Sequence, residues 1–287
     1  FLMLIIIYYF ISSLLSSTLG TLIGAGGSAI LGPLLLLTES SLGTSIGAKN
    51  IIGTSLACVV VNSVSGSYRY LKIGTVDIRS GIIFSIIGIP FSVFAAFTLI
   101  EIDISNFKIM FGITLILITI FMIYQSMKNE TGEQPKKTKL SSIEKLNRRF
   151  FHEKRKILTK NDEEYEYNFS LGLASFYNIF LGFIATFFGI GGGIIRTPLL
   201  IYISKFPIKI ATATSVFSLL CTSLAGTIVY WMQGFYDLNL FFPAALGALI
   251  GAQIGAQVSK SLSGKWIIRI LAIVLLIMGL LLIIQNL

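Results

Sequence analysis

Residues 189–198 read Gly-Ile-Gly-Gly-Gly-Ile-Ile-Arg-Thr-Pro and lie between two apolar runs, 169–188 and 199–203. Four glycines in five residues cannot form an ordinary lipid-facing helix, because glycine costs about 1 kcal/mol relative to alanine and bare backbone is costly in hydrocarbon. Such a break is tolerated at membrane depth only where protein or water surrounds it. Arg196 follows three residues after the last glycine, and a charge inside the membrane is usually functional. The stretch therefore predicts a broken helix beside a site that handles an anion.

The composition indicates a helical membrane protein. Of 287 residues, 54% are apolar and 12% are charged, and the mean hydropathy is +0.85. The net charge of +9 does not indicate a nucleic-acid partner, because 11 of the 22 Lys and Arg residues lie within residues 128–160, as in a cytoplasmic loop. The chain has one histidine and two cysteines, and these form no catalytic or metal-binding pattern. No enzyme activity, cofactor or metal site is expected.

The apolar runs form two matching series. Two broken elements, 1–37 and 169–204, are each followed by three runs of about membrane-spanning length. These runs are 47–70, 80–100 and 104–127 in the first series and 208–232, 238–259 and 266–287 in the second. One constant offset relates residues 24–35 to 189–200, and a second offset relates residues 54–77 to 214–237. The matches indicate an internal duplication.

The loop charges predict that the two halves are inverted relative to each other. Inverting one half places 19 of the 22 cations on one side, whereas parallel halves would leave seven on the other, and cytoplasmic loops are the ones enriched in Lys and Arg. Inversion needs an odd number of crossings in each half, so each broken element is expected to be a re-entrant hairpin. Its return arm of about 10 residues gives ~15 Å of helix, half a bilayer. A full-length hairpin with a tilted second arm is the alternative.

The predicted fold is an all-α polytopic membrane protein of two inverted repeats, each a Gly-broken re-entrant hairpin followed by three transmembrane helices. Residues 1–127 are the first membrane repeat, 128–168 a cytoplasmic basic linker, and 169–287 the second membrane repeat. In the linker, Ser141 and Glu144 have capping-box spacing, and Ile143, Phe150 and Ile157 share one helical face. This pattern predicts an amphipathic helix on anionic lipid headgroups, with a solvated linker as the alternative.

The binding site is expected where the two breaks meet. A half-helix that starts after glycines presents unpaired N–H groups and a positive dipole end, which suit a small oxyanion. Leu31 matches Arg196, so the charge is present in one half only. The predicted substrate-binding residues are Gly24, Gly26, Gly27, Ser28, Thr54, Ser55, Asn62, Gly189, Gly191, Gly192, Gly193, Ile194, Arg196, Thr214, Ser215 and Thr222.

A purely structural interpretation of these residues remains open. The glycines would then only allow close helix packing, Arg196 would reach an interface, and the hydroxyls would bond to nearby backbone. Gly247, Gly251 and Gly255, at four-residue spacing, are themselves predicted to be a packing seam.

The glycine motifs ending in proline, at 24–33 and 189–198, resemble the TauE/SafE family, as do the Ala-Thr-Ala-Thr-Ser run at 211–215 and the segment 247–257. The resemblance covers nearly the whole chain except 128–168. It implies a membrane transporter for small sulfur-containing anions such as sulfite, sulfoacetate and other organosulfonates, most often an exporter. Sulfite protonates close to neutral pH, which suits a chain with no Asp or Glu deep in an apolar run.

The leading hypothesis is a secondary transporter in the cell membrane that moves sulfite or an organosulfonate by alternating access, with its site near the midplane. An anion channel is one alternative. A non-transporting assembly or scaffold protein, which holds a partner through the basic segment, is another. The expected partners are the anionic substrate and the lipid bilayer, and a homodimer is left open.

Overall fold

The computed structural model describes residues 2–38, 46–102, 104–128, 152–159, 164–259 and 264–284, with side chains except at positions 2, 28–29, 100, 104–105, 125–128, 152 and 264–271. The first half contains α1 (Leu2–Ile23), α2 (Ser28–Thr38), α3 (Ala48–Ile73), α4 (Ile78–Thr98), a 3₁₀ turn (Leu99–Glu101) and α5 (Ile104–Lys128). Two strands, β1 (His152–Leu158) and β2 (Glu164–Ser170), precede the second half. That half contains α6 (Leu171–Phe187), α7 (Gly193–Tyr202), α8 (Ile208–Met232), α9 (Leu238–Val258) and α10 (Gly264–Ile284).

The predicted class, a polytopic helical membrane protein, is confirmed. Within the described ranges, six helices are long and apolar enough to cross a membrane, namely α1, α3, α4, α5, α8 and α9. The two breaks also fall at the glycines, between α1 and α2 and between α6 and α7. The helices after them, α2 with 11 residues and α7 with 10, reach only ~15 Å and are too short to span a bilayer.

Helices α3 and α8 occupy the centre of the molecule and run antiparallel. They are the most buried of the six long apolar helices. Near one end of the pair, the Asp77 amide donates to Thr214 Oγ1 at 3.0 Å, and near the other end the Asp237 amide donates to Thr54 Oγ1 at 2.9 Å. These are the residues that the sequence offset matched. In each half, a threonine of the central helix therefore accepts a hydrogen bond from the segment that follows the central helix of the other half.

A second matched pair of hydrogen bonds ties the central helices to the two breaks. Tyr70 Oη donates to the Thr21 carbonyl at 2.9 Å, and Tyr230 Oη donates to the Thr186 carbonyl at 2.8 Å. Thr21 and Thr186 each lie three residues before the first glycine of a break. The same contact thus fixes the end of α1 and the end of α6.

The outer helices pack across the halves, with α1 against α9 and α4 against α6. A Cβ at Gly247, Gly251 or Gly255 would lie 2.4 Å from the carbonyl oxygen of Phe10, Leu14 or Thr18, respectively. Only glycine allows α9 to approach the α1 backbone this closely, so the predicted packing seam is confirmed.

The linker differs from its prediction. The sequence predicts an amphipathic helix that extends through Ile157. For residues 152–158 this prediction is wrong, because they form strand β1, which pairs antiparallel with β2. Ser141, Glu144 and Phe150 lie outside the described residues. The strands have a period-2 pattern: Tyr165, Tyr167 and Phe169 share one face, while Lys154 and Lys156 pair with Glu166 and Glu164 on the other. Aromatic side chains at alternate positions favour a strand over a helix.

The hairpin β1–β2 covers one end of the second half. Tyr167 and Phe169 pack on Phe206, with ring centroids 4.5 and 4.7 Å from it, in a cluster that includes Leu200 of α7. Tyr167 Oη also donates to Asp77 Oδ2 at 2.8 Å, and burial beside this carboxylate raises the pKa of the phenol, so the phenol keeps its proton. The hairpin therefore links the α3–α4 turn to the α7–α8 connection.

Candidate anion site at the glycine breaks

The two breaks have the same backbone structure. Gly24, Gly26 and Gly27 have φ values of 79°, 76° and 56°, and their counterparts Gly189, Gly191 and Gly192 have values of 67°, 71° and 70°. Residues other than glycine pay roughly 1–2 kcal/mol for this left-handed conformation. Both helix ends are closed in the same way. Amides of the break bond to the Gly20 carbonyl at 2.6 and 3.2 Å in the first half, and to the Ala185 carbonyl at 3.0 and 3.1 Å in the second.

The breaks lie against each other in the core. A Cβ added to Gly193 would lie 2.1 Å from the Gly24 carbonyl oxygen, so the two backbones are in direct contact. Gly26 and Gly191 both approach the side chains of Val59 and Leu219, one from α3 and one from α8. The structure thus brings together the two glycine motifs, which are separated by more than 160 residues in the sequence.

Two hydroxyl groups from the second half hold the first break at its Gly24 carbonyl. The Gly24 carbonyl accepts hydrogen bonds from Ser215 Oγ at 2.9 Å and from Thr197 Oγ1 at 3.3 Å. Ser55, which the offset matches to Ser215, is buried and its Oγ has no hydrogen-bond partner. Gly32 stands where the second half has Thr197. The first break is therefore fixed by two hydroxyls, whereas the Ser55 hydroxyl remains available.

Arg196 is the charged residue at the start of α7. It is fully buried, with 0% of its surface exposed. Its Nε donates to Asn178 Oδ1 of α6 at 2.8 Å, while Nη1 and Nη2 are buried without a hydrogen-bond partner. Among the described residues, no carboxylate forms an ion pair with it. An uncompensated buried charge costs several kcal/mol, and the described residues provide no counter-charge for this guanidinium.

The Arg196 guanidinium points back along the α6–α7 hairpin instead of into the gap between the breaks. Its partner Asn178 lies nine residues before the end of α6, roughly 13 Å along the helix. Tyr177 precedes Asn178 and forms a hydrogen bond with Ser204 at 2.8 Å between the two hydroxyl oxygens. The sequence did not single out Asn178, Tyr177 or Ser204, because nothing in a lone amide or phenol of an apolar helix indicates an arginine partner.

Backbone amides at the start of α7 add further donors. Within the described residues, the amides of Gly193 and Ile194 have no hydrogen-bond acceptor, and Gly192 provides no side-chain cap. Free amides at the positive end of a helix attract anions. Ser28 begins α2 at the equivalent position in the first half, but its side chain lies outside the described part.

Four further predicted polar residues form hydrogen bonds within the fold. Thr54 and Thr214 accept the amides of Asp237 and Asp77 near the two ends of the central helices. Asn62 exchanges hydrogen bonds with Thr21 Oγ1. The fourth, Thr222, donates to carbonyls of its own helix, at 3.2 Å for Ser218. Thr54, Thr214 and Asn62 thus connect different parts of the fold, whereas Thr222 bonds within its own helix.

Comparison with known proteins places these features in a family. The TauE family profile, described as sulfite exporter TauE/SafE, matches residues 9–282. The chain is similar to the probable membrane transporter protein YunE of Bacillus subtilis, with 29% identity over 270 residues that cover 93% of each chain. It is also similar to the probable membrane transporter protein MJ0441 of Methanocaldococcus jannaschii, with 32% identity over 213 residues, 74% of this chain and 67% of the relative.

No solved structure matches the chain significantly. The relatives are named as membrane transporters and not as enzymes, in agreement with the sequence. Because the profile spans nearly the whole chain, both glycine breaks included, this protein is a multi-pass membrane transporter that belongs to the TauE/SafE sulfite exporter family.

Proposed function

We propose that this transporter moves a small sulfur oxyanion, sulfite or an organosulfonate, out of the cell across the cell membrane. The observation that carries the proposal is Arg196, fully buried with both Nη atoms unpartnered. A bound oxyanion would neutralise the charge of the guanidinium and accept hydrogen bonds from its Nη atoms. The site would therefore be most stable with the anion bound. The family's description as sulfite exporters supports both the substrate and the direction.

The anion would contact the groups whose bonding capacity is not used within the fold. These groups are the Arg196 guanidinium, which would hold the anion beside α6, and, closer to the breaks along its path, the amides of Gly193 and Ile194 and the Ser55 hydroxyl of the facing half. The predicted glycines would shape the site by allowing the two backbones to meet. Thr54, Thr214 and Asn62 would act by holding the helices in place, and Thr222 would bond within its own helix.

Transport would occur by alternating access between inverted halves. The hydrogen bonds from the Asp77 amide to Thr214 and from the Asp237 amide to Thr54 support inversion of the halves. Each half makes the same contact with the other, but at opposite ends of the antiparallel helices α3 and α8. The hairpin β1–β2, which follows most of the cations of the basic linker, contacts the α3–α4 turn and Phe206, and this supports a cytoplasmic location for the linker and for these loops. The short α2 and α7 would be the re-entrant arms that meet at the site.

The test is anion flux into liposomes that contain the purified protein. Arg196→Ala should weaken the apparent affinity for sulfite by about 10–100-fold, because one charge-assisted contact contributes about 1.5–3 kcal/mol. Lys72→Ala is the matched control, since this exposed cation at the end of α3 lies outside the proposed site. Equal effects of the two substitutions would contradict the site, and absence of oxyanion flux in the native protein would contradict the function.

The same liposomes separate the two alternatives. A carrier shows faster uptake when the opposite side is preloaded with substrate, whereas an anion channel shows no such exchange. A scaffold that acts through the basic linker predicts no flux at all. Deleting residues 129–151 should leave flux largely intact if transport is the function.

A further inference from the structure

The contact between Asn178 and Arg196 fixes the direction in which the guanidinium can bind. Asn178 Nδ2 donates to the Ala174 carbonyl at 2.6 Å, one turn earlier in α6. Its Oδ1 accepts from Arg196 Nε at 2.8 Å. The orientation of the amide is determined by chemistry, because a carbonyl can only accept and Nε can only donate. Asn178 is therefore a rigid acceptor, held by its own helix, for one specific nitrogen of the arginine.

This contact leaves one edge of the guanidinium available. With Nε engaged, the remaining donors are the hydrogens on Nη1 and Nη2, both buried and unpartnered. Two parallel N–H groups at the end of a planar fork match two oxygen atoms bound to one centre, the geometry of paired arginine–carboxylate and arginine–phosphate contacts. A monatomic anion, or an anion that accepts at a single atom, can reach both donors only through two bent contacts that converge on that atom, and not through two parallel hydrogen bonds.

The first half has no equivalent arrangement. Leu31 replaces Arg196, and Ser13, at the position of Asn178, uses its hydroxyl to donate to the Ala244 carbonyl at 2.6 Å. The arginine and its asparagine acceptor are thus confined to the α6–α7 hairpin. Leu200, which packs in one cluster with Tyr167 and Phe169 of the hairpin β1–β2, lies in the same helix as Arg196.

We propose that Asn178 is a positioning residue that presents Arg196 end-on, so that the transporter selects anions with at least two oxygens on one central atom. Sulfite and sulfonates satisfy this requirement, and chloride and thiocyanate do not. The inference rests on the proposed transport function and specifies the substrate class of the same site. Asn178 acts through Arg196 and need not touch the anion.

Two substitutions at position 178 test the proposal in liposome flux assays. Asn178→Asp keeps the size and the acceptor but adds a negative charge against the guanidinium, and we expect a loss of sulfite affinity of about 10-fold or more, similar to that of Arg196→Ala. Asn178→Leu keeps the volume but releases Nε. We expect the ratio of sulfite or methanesulfonate flux to thiocyanate flux to fall about 10-fold.

The flux ratio is measured within one preparation, so it does not depend on how much protein is folded. Ser13→Ala is the matched control at the equivalent position of the other half and should leave the ratio unchanged. An unchanged ratio in Asn178→Leu, or native sulfite affinity in Asn178→Asp, would overturn this inference while native flux still supports transport. If the native protein moves no oxyanion, the proposed function itself fails. If Asn178→Leu does not fold, the affinity of Asn178→Asp alone decides.

Discussion

The two glycine breaks have nearly the same backbone and very different surroundings. Both have three glycines at positive φ, both close their first helix on a single carbonyl, and both are tied to a tyrosine of a central helix. The first break has Leu31 and a carbonyl held by two hydroxyls, whereas the second has Arg196 with two free donors. The difference indicates that the duplicated backbone provides the frame and that side chains of one copy provide the charge.

The largest expected effect concerns the shared frame. Gly24→Ala and Gly189→Ala should each destabilise the protein by about 2–4 kcal/mol, the sum of left-handed strain and overpacking. A Cβ at Gly24 would lie 2.9 Å from the Thr212 backbone, and one at Gly189 would lie 2.9 Å from the Ile52 carbonyl oxygen. Unfolding free energies of purified protein in detergent measure the effect.

Gly234→Ala is the matched control for these two substitutions. Gly234 has the same φ of 79° as Gly24, but a Cβ there would meet nothing within 4 Å. It should therefore cost only about 1–2 kcal/mol, the strain alone. A large cost at one break and a small cost at the other would show that only one of them is part of the frame.

A smaller effect should separate the two breaks. Ser215→Ala removes a hydroxyl that holds the Gly24 carbonyl and should lower the unfolding free energy by about 1 kcal/mol. Ser55→Ala removes a buried hydroxyl without a partner, so stability should not fall, while the apparent sulfite affinity should. Parallel measurements of unfolding and flux check this contrast. Equal losses of stability in both variants would contradict the assignment of Ser55 to the substrate.

An effect of similar size concerns the hairpin, which has no counterpart in the first half within the described residues. Tyr167→Phe removes the hydrogen bond to Asp77 but keeps the ring on Phe206, so the unfolding free energy should fall by about 1 kcal/mol. Tyr236→Phe, at an exposed tyrosine, should have no measurable effect. Identical unfolding curves for both variants would show that the hydrogen bond from Tyr167 to Asp77 does not stabilise the hairpin β1–β2 on the second half.

The frame was predictable from sequence because it depends on backbone. Only glycine tolerates the φ values of the breaks and the close approach of α9 to α1, so the glycines at 24–27, 189–193 and 247–255 marked these places directly. Arg196 was predictable for a similar reason, since a charge in an apolar run demands an explanation.

The partners of these residues could not be predicted in the same way. Asn178 lies on a different helix from Arg196, and its role depends on a tertiary contact. The hairpin was missed because its basic residues also fit a helical face, although the alternation of Tyr165, Tyr167 and Phe169 favoured a strand. The repeat offset matches Thr54 to Thr214, but their hydrogen bonds to the opposite half could be predicted only with the antiparallel arrangement of α3 and α8.

The seam between α1 and α9 has a consequence for biogenesis. The Ser13 hydroxyl finds its acceptor at Ala244, 231 residues later in the chain, and the α1 carbonyl ridge finds its glycine partners only when α9 has been synthesised. We therefore expect α1 to lack its main packing partner, α9, during translation while the intervening helices enter the bilayer. The two halves are one interlocked fold and not a tandem of independent domains, so the last helices to leave the ribosome complete the packing of the first.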